Sequence, residues 1–408
     1  MFTGLLIIIY ISFISLGLPD SLLGSAWPAM SADLGAPLSY AGILSMIVAG
    51  GTIVSSFSSD RIIRRFGTGP VTAVSVLLTA LALLGTSLAP GFWWLCITAV
   101  PLGLGAGSVD TALNNFVALH YKARHMNWLH CFWGVGATAG PMIMSFFLLT
   151  ENGWKPGYGT IGIMQAVLVA ALFISLPLWK KAAAQGTETA AEKPGDRPPL
   201  KDILRISGVK PALAAFFFYC ALETTTGLWG SSFLVTVKGM SAETAAQWIS
   251  MFYLGITVGR FACGFISMKL NNKKMIRIGQ IIITAGLVLV MLAPGGMILR
   301  TGFLLIGMGC APVFPAMLHE TPDRFGKPLS QTLMGLQMGC AYIGSTFMPP
   351  LFGAIAQAAD ISLFPYYLLA ALAFMVMAAE RINRIMKRRK TADSLDHAAQ
   401  ANRIASVK

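Results

Sequence analysis

The chain has 408 residues, of which 55% are apolar and only 12% are charged, and its mean hydropathy is 0.67. Soluble globular proteins are roughly a quarter charged, so this composition excludes a soluble enzyme. About twelve spans of roughly 20 to 25 residues, with their connectors, use up almost the whole length. The formal net charge of +13 would indicate nucleic-acid binding in a soluble domain, so the positions of the charges decide its meaning.

Apolar runs bounded by charge, proline or glycine follow one another along the chain, and each is long enough to cross a bilayer as a helix. The first six lie at about residues 4–29, 38–59, 71–90, 92–119, 127–150 and 158–180. The second six lie at about residues 209–237, 244–267, 275–293, 297–318, 331–356 and 361–386. We therefore expect an all-α membrane protein with twelve transmembrane helices in two pseudo-symmetric halves.

Two polar stretches set the expected boundaries: a first half at 1–180, a linker at 181–208, a second half at 209–386 and a tail at 387–408. The apolar N-terminal run has no basic segment before it and no small-residue cleavage site, which favours a first span over a removed signal peptide. Of the 30 Lys and Arg residues, 26 lie on the side of the linker and the tail. The positive-inside rule then predicts cytoplasmic termini in the cell inner membrane and accounts for the charge without nucleic acid.

The six cysteines are dispersed singly through apolar runs, without a C-x-x-C pair: Cys96, Cys131, Cys220, Cys263, Cys310 and Cys340. We interpret them as packing residues and expect no metal site, organic cofactor or ATP site.

The two halves also repeat each other. A shift of about 207 residues places the segment that begins at Leu129 on the one that begins at Leu336, and so places His130 opposite Gln337. Parallel repeats of this kind predict a pseudo-twofold axis along the membrane normal and a site at the interface of the halves. This is the architecture of a transporter.

The segment SSFSSDRIIRRFGTGP between the second and third runs resembles the G-x-x-x-D-R-x-G-R-R loop of the major facilitator superfamily, with Ser56 where the leading glycine is usual. The matching residues are Asp60, Arg61, Arg64, Arg65 and Gly67. The resemblance implies that the acidic and basic members, Asp60, Arg61, Arg64 and Arg65, form a conformational latch between the halves. The alternative is that they are only positive-inside charges.

The segments GLGAGSVDTALNNF and RHMNWLHCFWGVGATAGP resemble the fucose-permease-like branch of sugar symporters within that superfamily. The resemblance implies that Asp110, Asn114 and His130 mark the substrate region. An amide is commoner than histidine at the third position, so the substrate itself stays open.

Three carboxylates, Asp20, Asp110 and Glu223, fall well inside predicted spans, where a charge is unfavourable unless it faces water or a partner. We predict that they carry the coupling proton, because a carboxyl group that alternates between water and a closed cavity can take up and release one. A helix cap remains the alternative for Asp20, which follows Pro19, and a permanent hydrogen bond to another helix remains the alternative for Asp110.

Polar and aromatic side chains near these acids predict the lining of a sugar site, since hydroxyls need hydrogen-bonding partners and a ring face stacks on indole. The predicted lining residues are Asn114, His130, Trp133, Glu223, Trp229 and Gln337. Packing is the alternative for the histidine and both tryptophans. For Arg260 we expect a side chain that extends to the cytoplasmic surface, in preference to a gating pair.

These observations predict a monomeric secondary transporter of a small-molecule solute, most simply a proton-coupled symporter of a sugar or sugar-like compound, with sodium as the alternative ion. The 21 methionines keep open a proton-driven exporter of amphipathic compounds, because flexible side chains suit promiscuous binding. A membrane enzyme or sensor is disfavoured, since the sequence has neither an HExxH motif nor a sizeable segment outside the spans.

The orientation is tested with cysteine introduced at Ala184 in a cysteine-free background. Because the linker is predicted to be cytoplasmic, an impermeant maleimide should leave this residue unlabelled in intact cells and label it after permeabilisation. Labelling of intact cells would reverse the predicted topology.

Overall fold

The computed structural model describes residues 3–121, 123–150, 153–185, 200–267, 269–293 and 296–405. Over these ranges the chain is helical and contains no strand. This follows from the bilayer, in which backbone polar groups find no water and a helix satisfies them within one segment.

The helices of the first half are α1 (Thr3–Asp20), α2 (Leu22–Asp33), α3 (Tyr40–Phe66), α4 (Thr68–Ser87), α5 (Phe92–His120), α6 (Ala123–Leu148), α7 (Lys155–Ile174) and α8 (Leu176–Gln185). Those of the second half are α9 (Leu200–Arg205), α10 (Val209–Thr236), α11 (Ala242–Ile266), α12 (Asn272–Leu292), α13 (Gly296–His319), α14 (Thr321–Phe325), α15 (Lys327–Ala358) and α16 (Phe364–Ala405). A short 3-10 turn, Ile361–Leu363, precedes α16. Because α1 and α2 form one broken span, each half contributes six spans and the twelve-helix prediction is confirmed.

Two of the twelve spans are more polar than the others. Ten are apolar enough to cross a membrane by length and composition, whereas α10 and α15 are 28 and 32 residues long but carry polar residues along their length. Helix α10 is enclosed by other helices, since 18 of its 28 residues are buried. Helix α10 therefore lies inside the bundle, surrounded by protein and not by lipid.

The packing repeats between the halves. Helix α1 packs on α6 as α10 packs on α15, and α3 packs on α5 as α11 packs on α13. Glycines permit close approach at the second crossing, because side chains at Gly103 and Gly307 would collide with the backbones of α3 and α11. The face of α5 that carries Gly103 and Gly107 is thus filled by a neighbouring helix and not by a solute.

The break in the first span is satisfied from within the same half. Pro19 lacks an N–H group, so the carbonyl of Ser15 loses its helical partner. The amide of Gln165, on α7, donates to that carbonyl at 2.7 Å, and its oxygen accepts from Thr79 Oγ1 at 2.6 Å. The Ser15 carbonyl therefore has a hydrogen-bond donor from the protein and needs no water molecule. The break ends α1 at Asp20.

Contacts between the halves differ at the two ends of the bundle. We call the end that carries both termini the terminal end, and the other the far end. One face of α15 turns toward α3: at the far end Gln357 is hydrogen-bonded to Ser39 and Pro350 packs on Gly42.

Farther along this face, Tyr342 lies beside Ser56. Closer still to the terminal end, Gly335 and Gly339 have no described atom of another element within 4 Å of where a side chain would begin. Between the centre and the far end, Gly24 of α2 also packs on the backbone of Gly227. The far end is therefore closed, and the gap between α3 and α15 widens toward the terminal end.

The polar stretches of the sequence are partly helical. Helix α8 ends at Gln185, and residues 186–199 of the predicted linker lie outside the described residues. Ile203 of α9 is buried with Phe325 and Ile382, so α9 packs with the second half. Helix α16 continues through the predicted tail to Ala405.

Replacing Gln165 with Leu should lower the melting temperature of the purified protein, because it leaves the Ser15 carbonyl buried and unpaired, at about 1 to 3 kcal/mol. Gln280 on α12 is a matched control: it is also buried, but its amide nitrogen has no partner among the described residues. Gln280→Leu should change the melting temperature little. Equal destabilisation by the two variants would contradict the role given to Gln165.

Cysteines at Ser39 and Gln357, in a cysteine-free background, should be joined readily by a short bifunctional thiol reagent. The bridge should hold the far end closed and abolish transport, while the untreated double variant and both treated single variants stay active. Full transport by completely cross-linked protein would show that the far end need not open.

Candidate functional site

Four side chains from four spans meet in the interior, and we call them the central charge cluster: Asp20, Trp133, Glu223 and Arg260. The indole Nε1 of Trp133 donates to Asp20 Oδ2 at 2.7 Å. The guanidinium carbon of Arg260 lies 5.2 Å from the centre of the Trp133 ring, within the range of a cation–π contact. Arg260 Nη2 lies 3.6 Å from Glu223 Oε1.

The cluster joins the two halves. Asp20 and Trp133 belong to the first half, whereas Glu223 and Arg260 belong to the second. The contact between Arg260 and the Trp133 ring is the link between these two pairs. Any movement of one half relative to the other has to rearrange this contact.

The acids of the cluster face the space between the halves. Asp20 is exposed although it lies within the first span, and its charge acts on Tyr253 of α11, in the other half. The side chains of Glu223 and Arg260 are 17% and 19% exposed, so neither is fully buried. Tyr253 packs against Gly227, where a side chain would collide with the phenol oxygen.

A second polar pair lies beside the cluster. Asn114 Nδ2 donates to Asp110 Oδ1 at 2.9 Å, so these residues share a helix face as the sequence predicts. The negative charge of Asp110 acts on Asp20 and on Tyr342 of α15. The pair therefore extends the polar region toward the second half.

His130 lies on α6, one turn before Trp133. Its ring packs edge-on against Phe13 with centroids 5.9 Å apart, and the charge of Arg260 acts on it. The structure thus brings His130, Asn114 and Asp110 to the edge of the central charge cluster.

Two predicted lining residues lie elsewhere, and the prediction that they line the cavity is wrong for this conformation. Trp229 is fully buried; its Nε1 donates to the Pro349 carbonyl at 2.8 Å and its ring packs on Phe352. Six residues after Glu223, it falls on a different face of α10, since six residues advance a helix by about 240°.

Gln337 is also buried, and its oxygen accepts from Thr321 Oγ1 at 2.9 Å within the second half. The face of α15 that turns toward the first half carries Gly335 and Gly339. Gln337 is two residues from each of them and therefore points almost the opposite way.

The expectation that Arg260 extends to the membrane surface is also wrong. Arg260 is six residues from the end of α11, about 9 Å along the helix axis, and it contacts Glu223 and Trp133 instead. A signal was present in the sequence: three acids lay inside predicted spans, and Arg260 was the one cation at comparable depth.

The predicted latch is only partly covered. The side chains of Asp60 and Arg64 lie outside the described residues, while Arg61 and Arg65 are exposed and Arg65 lies over Phe66. Gly67 joins α3 to α4 with φ of 82°, a left-handed conformation that favours glycine. The latch stays a prediction.

In the described part of the chain, no three His, Cys, Asp or Glu side chains group in a way that holds a metal ion. The cysteines are all free thiols.

The family model of the Major Facilitator Superfamily matches residues 9–349. The chain belongs to the Major Facilitator Superfamily. Its curated relatives include Bypass of stop codon protein 6 of Saccharomyces cerevisiae, 23% identical over 87% of this chain and 77% of that protein. Another relative, the glucose/mannose transporter GlcP of Bacillus subtilis, is 23% identical over 68% of each chain.

The chain has the same fold as a solved structure of a bacterial homologue of the human lysosomal transporter Spinster, in an inward-facing and unoccupied conformation. The TM-score is 0.71 at 11% sequence identity, and the match covers 94% of this chain and 97% of that one. This Major Facilitator Superfamily member is a multi-pass membrane transporter of a small molecule and not an enzyme. The family prediction is confirmed; the fucose-permease-like branch stays a prediction.

Proposed function

We propose that the protein is a proton-coupled symporter of a sugar or sugar-like polar solute that works by alternating access. The observation that carries the proposal is the central charge cluster, in which side chains of both halves meet beside a gap that is closed at one end. A relative whose name records glucose and mannose transport is consistent with a sugar-like solute.

Protons are the proposed driving ions because two of the three acids have no cation as a partner among the described residues. Asp20 accepts a hydrogen bond from Trp133 and Asp110 accepts one from Asn114, and both donors are neutral. A carboxylate in a closing, poorly hydrated cavity is favoured to bind a proton unless a cation lies beside it. Protonation of these acids would remove the charge that opposes closure around the solute.

The solute is proposed to lie against Trp133, with His130 and Asn114 on the side of the first half and Glu223 on the side of the second. An indole face suits the apolar face of a sugar ring, and the amide and carboxylate suit its hydroxyls. The rest of the proposal follows the sequence analysis: a single chain in the cell inner membrane, cytoplasmic termini, and a latch at Asp60, Arg61, Arg64 and Arg65.

Replacing Asp20 with Asn mimics the protonated acid permanently and should separate transport from its driving force. In proteoliposomes tested with labelled sugars, Asp20→Asn should lose accumulation driven by a pH gradient while keeping solute exchange at equal pH. Asp110→Asn should show the same pattern if the two acids share the proton.

Asp33→Asn is the matched control, because Asp33 also accepts from an indole, Trp154 Nε1 at 3.0 Å, but lies at the far end of α2. It should keep both activities. Undiminished accumulation by both the Asp20 and Asp110 variants would exclude these acids from coupling. Gradient-driven extrusion of a hydrophobic cation such as ethidium, without sugar uptake, would favour the exporter.

A further inference from the structure

Arg260 is incompletely paired in this conformation. Its contact with Glu223, at 3.6 Å, is an ion pair that is too long for a good hydrogen bond. A guanidinium has five N–H donors, and the described residues give this one no hydrogen bond of ordinary length. The side chain is 19% exposed, so it is not sealed off from solvent.

Another arginine of the same half shows what full pairing looks like. Arg277 holds Glu380 through two hydrogen bonds, from Nε at 2.7 Å and from Nη2 at 2.8 Å. That fork is the arrangement in which arginine binds a carboxylate most strongly. Arg260, although it is less exposed than Arg277, lacks such a partner.

The charges of the centre are not equivalent. Asp20, Asp110 and Glu223 can lose their charge by binding a proton, whereas arginine keeps its charge at any physiological pH. A permanent cation in a poorly hydrated cavity needs an anion in every conformation that closes around it. Arg260 is incompletely paired, and the acids beside it can lose their charge by taking up protons. This arrangement therefore suits a solute that itself supplies the anionic partner of Arg260.

We propose that the transported solute carries a carboxylate, which replaces Glu223 as the partner of Arg260. This inference rests on the proposed symport function and narrows its substrate to sugar acids or similar hydroxylated acids. Glu223 takes up a proton from water as it leaves Arg260, and the solute carboxylate accepts the fork of N–H donors over the Trp133 ring. The solute carboxylate can bind Arg260 once protonated Glu223 has left, and Glu223 can leave once the solute replaces it. Solute and proton therefore enter together.

The first experiment needs no knowledge of the natural solute. In purified Glu223→Ala protein, acetate fills the place of the missing carboxylate and should raise the melting temperature in a concentration-dependent, saturable way. Acetamide, which has the same shape without the charge, should not. If Glu223→Ala does not fold, Glu223→Gln is used with formate. Arg260→Gln in either background should abolish the effect, while Arg277→Gln should leave it unchanged.

The second experiment names the solute class. Binding of glucose, glucuronate and glucosamine to the wild-type protein is measured by calorimetry, since these compounds share a ring but carry a hydroxyl, a carboxylate and an ammonium group. Glucuronate should bind at least about tenfold more tightly than glucose, the value of one charge-assisted hydrogen bond. Arg260→Gln should remove that preference.

Acetate without effect, or with the same effect in the Arg260→Gln protein, would overturn the inference. Glucose binding as tightly as glucuronate would also overturn it, yet it would leave the proposed sugar symport intact. Preferred binding of glucosamine would overturn it in favour of a cationic solute. Failure of the proposed function is recognised separately, by proton-independent accumulation in the proteoliposome assay.

Discussion

The contact between the Arg260 guanidinium and the Trp133 ring is the interaction on which the rest of the site depends. It is the point at which a hydrogen-bonded pair of the first half, Asp20 and Trp133, meets an ion pair of the second half, Glu223 and Arg260. Charges at this depth are unfavourable unless they are paired or hydrated. The contact therefore holds the four spans that carry these residues together in this conformation, and alternation of the halves has to rearrange it.

The surrounding packing makes that meeting possible. The break at Pro19 ends α1 where Asp20 can reach Trp133, and Gln165 supplies the hydrogen bond that the break removes. Glycines bring the helix backbones of each half into contact, so each half behaves as a packed unit. Between α3 and α15, close packing is concentrated at the far end, and the gap between these two helices opens toward the terminal end.

Much of the fold was predictable because a single physical rule governs it. Bilayer thickness sets the length of each apolar run, so twelve spans and two halves could be read from composition and spacing. Asp20 and Glu223 were recognised because a carboxylate in an apolar run is conspicuous. Two of the misplaced residues, Gln337 and Trp229, depend on rotation about the helix axis, which a repeat does not encode.

Alignment of the halves pairs Gln337 with His130 by chain position, yet the face of α15 that carries Gln337 turns into its own half. Trp229 is a residue type common in sugar sites, but its indole donates to the carbonyl of Pro349, the first of two consecutive prolines in α15. Arg260 was misplaced for a different reason, since its depth in the span permitted two outcomes. The choice between them depended on finding an acid within reach on another helix.

The central claim is that the two ends of the bundle open in turn around the central charge cluster. Double electron–electron resonance tests it most directly, with spin labels at Ser58 on α3 and Gly335 on α15, both near the terminal end. In lipid bicelles, two distance populations should appear, and lowering the pH from about 8 to about 5.5 should shift their ratio, because protonation of the central acids lowers the charge that opposes closure. The shift should be lost when Asp20 and Asp110 are both replaced with Asn. A single distance that does not change with pH, or an unchanged shift in the double variant, would contradict the account.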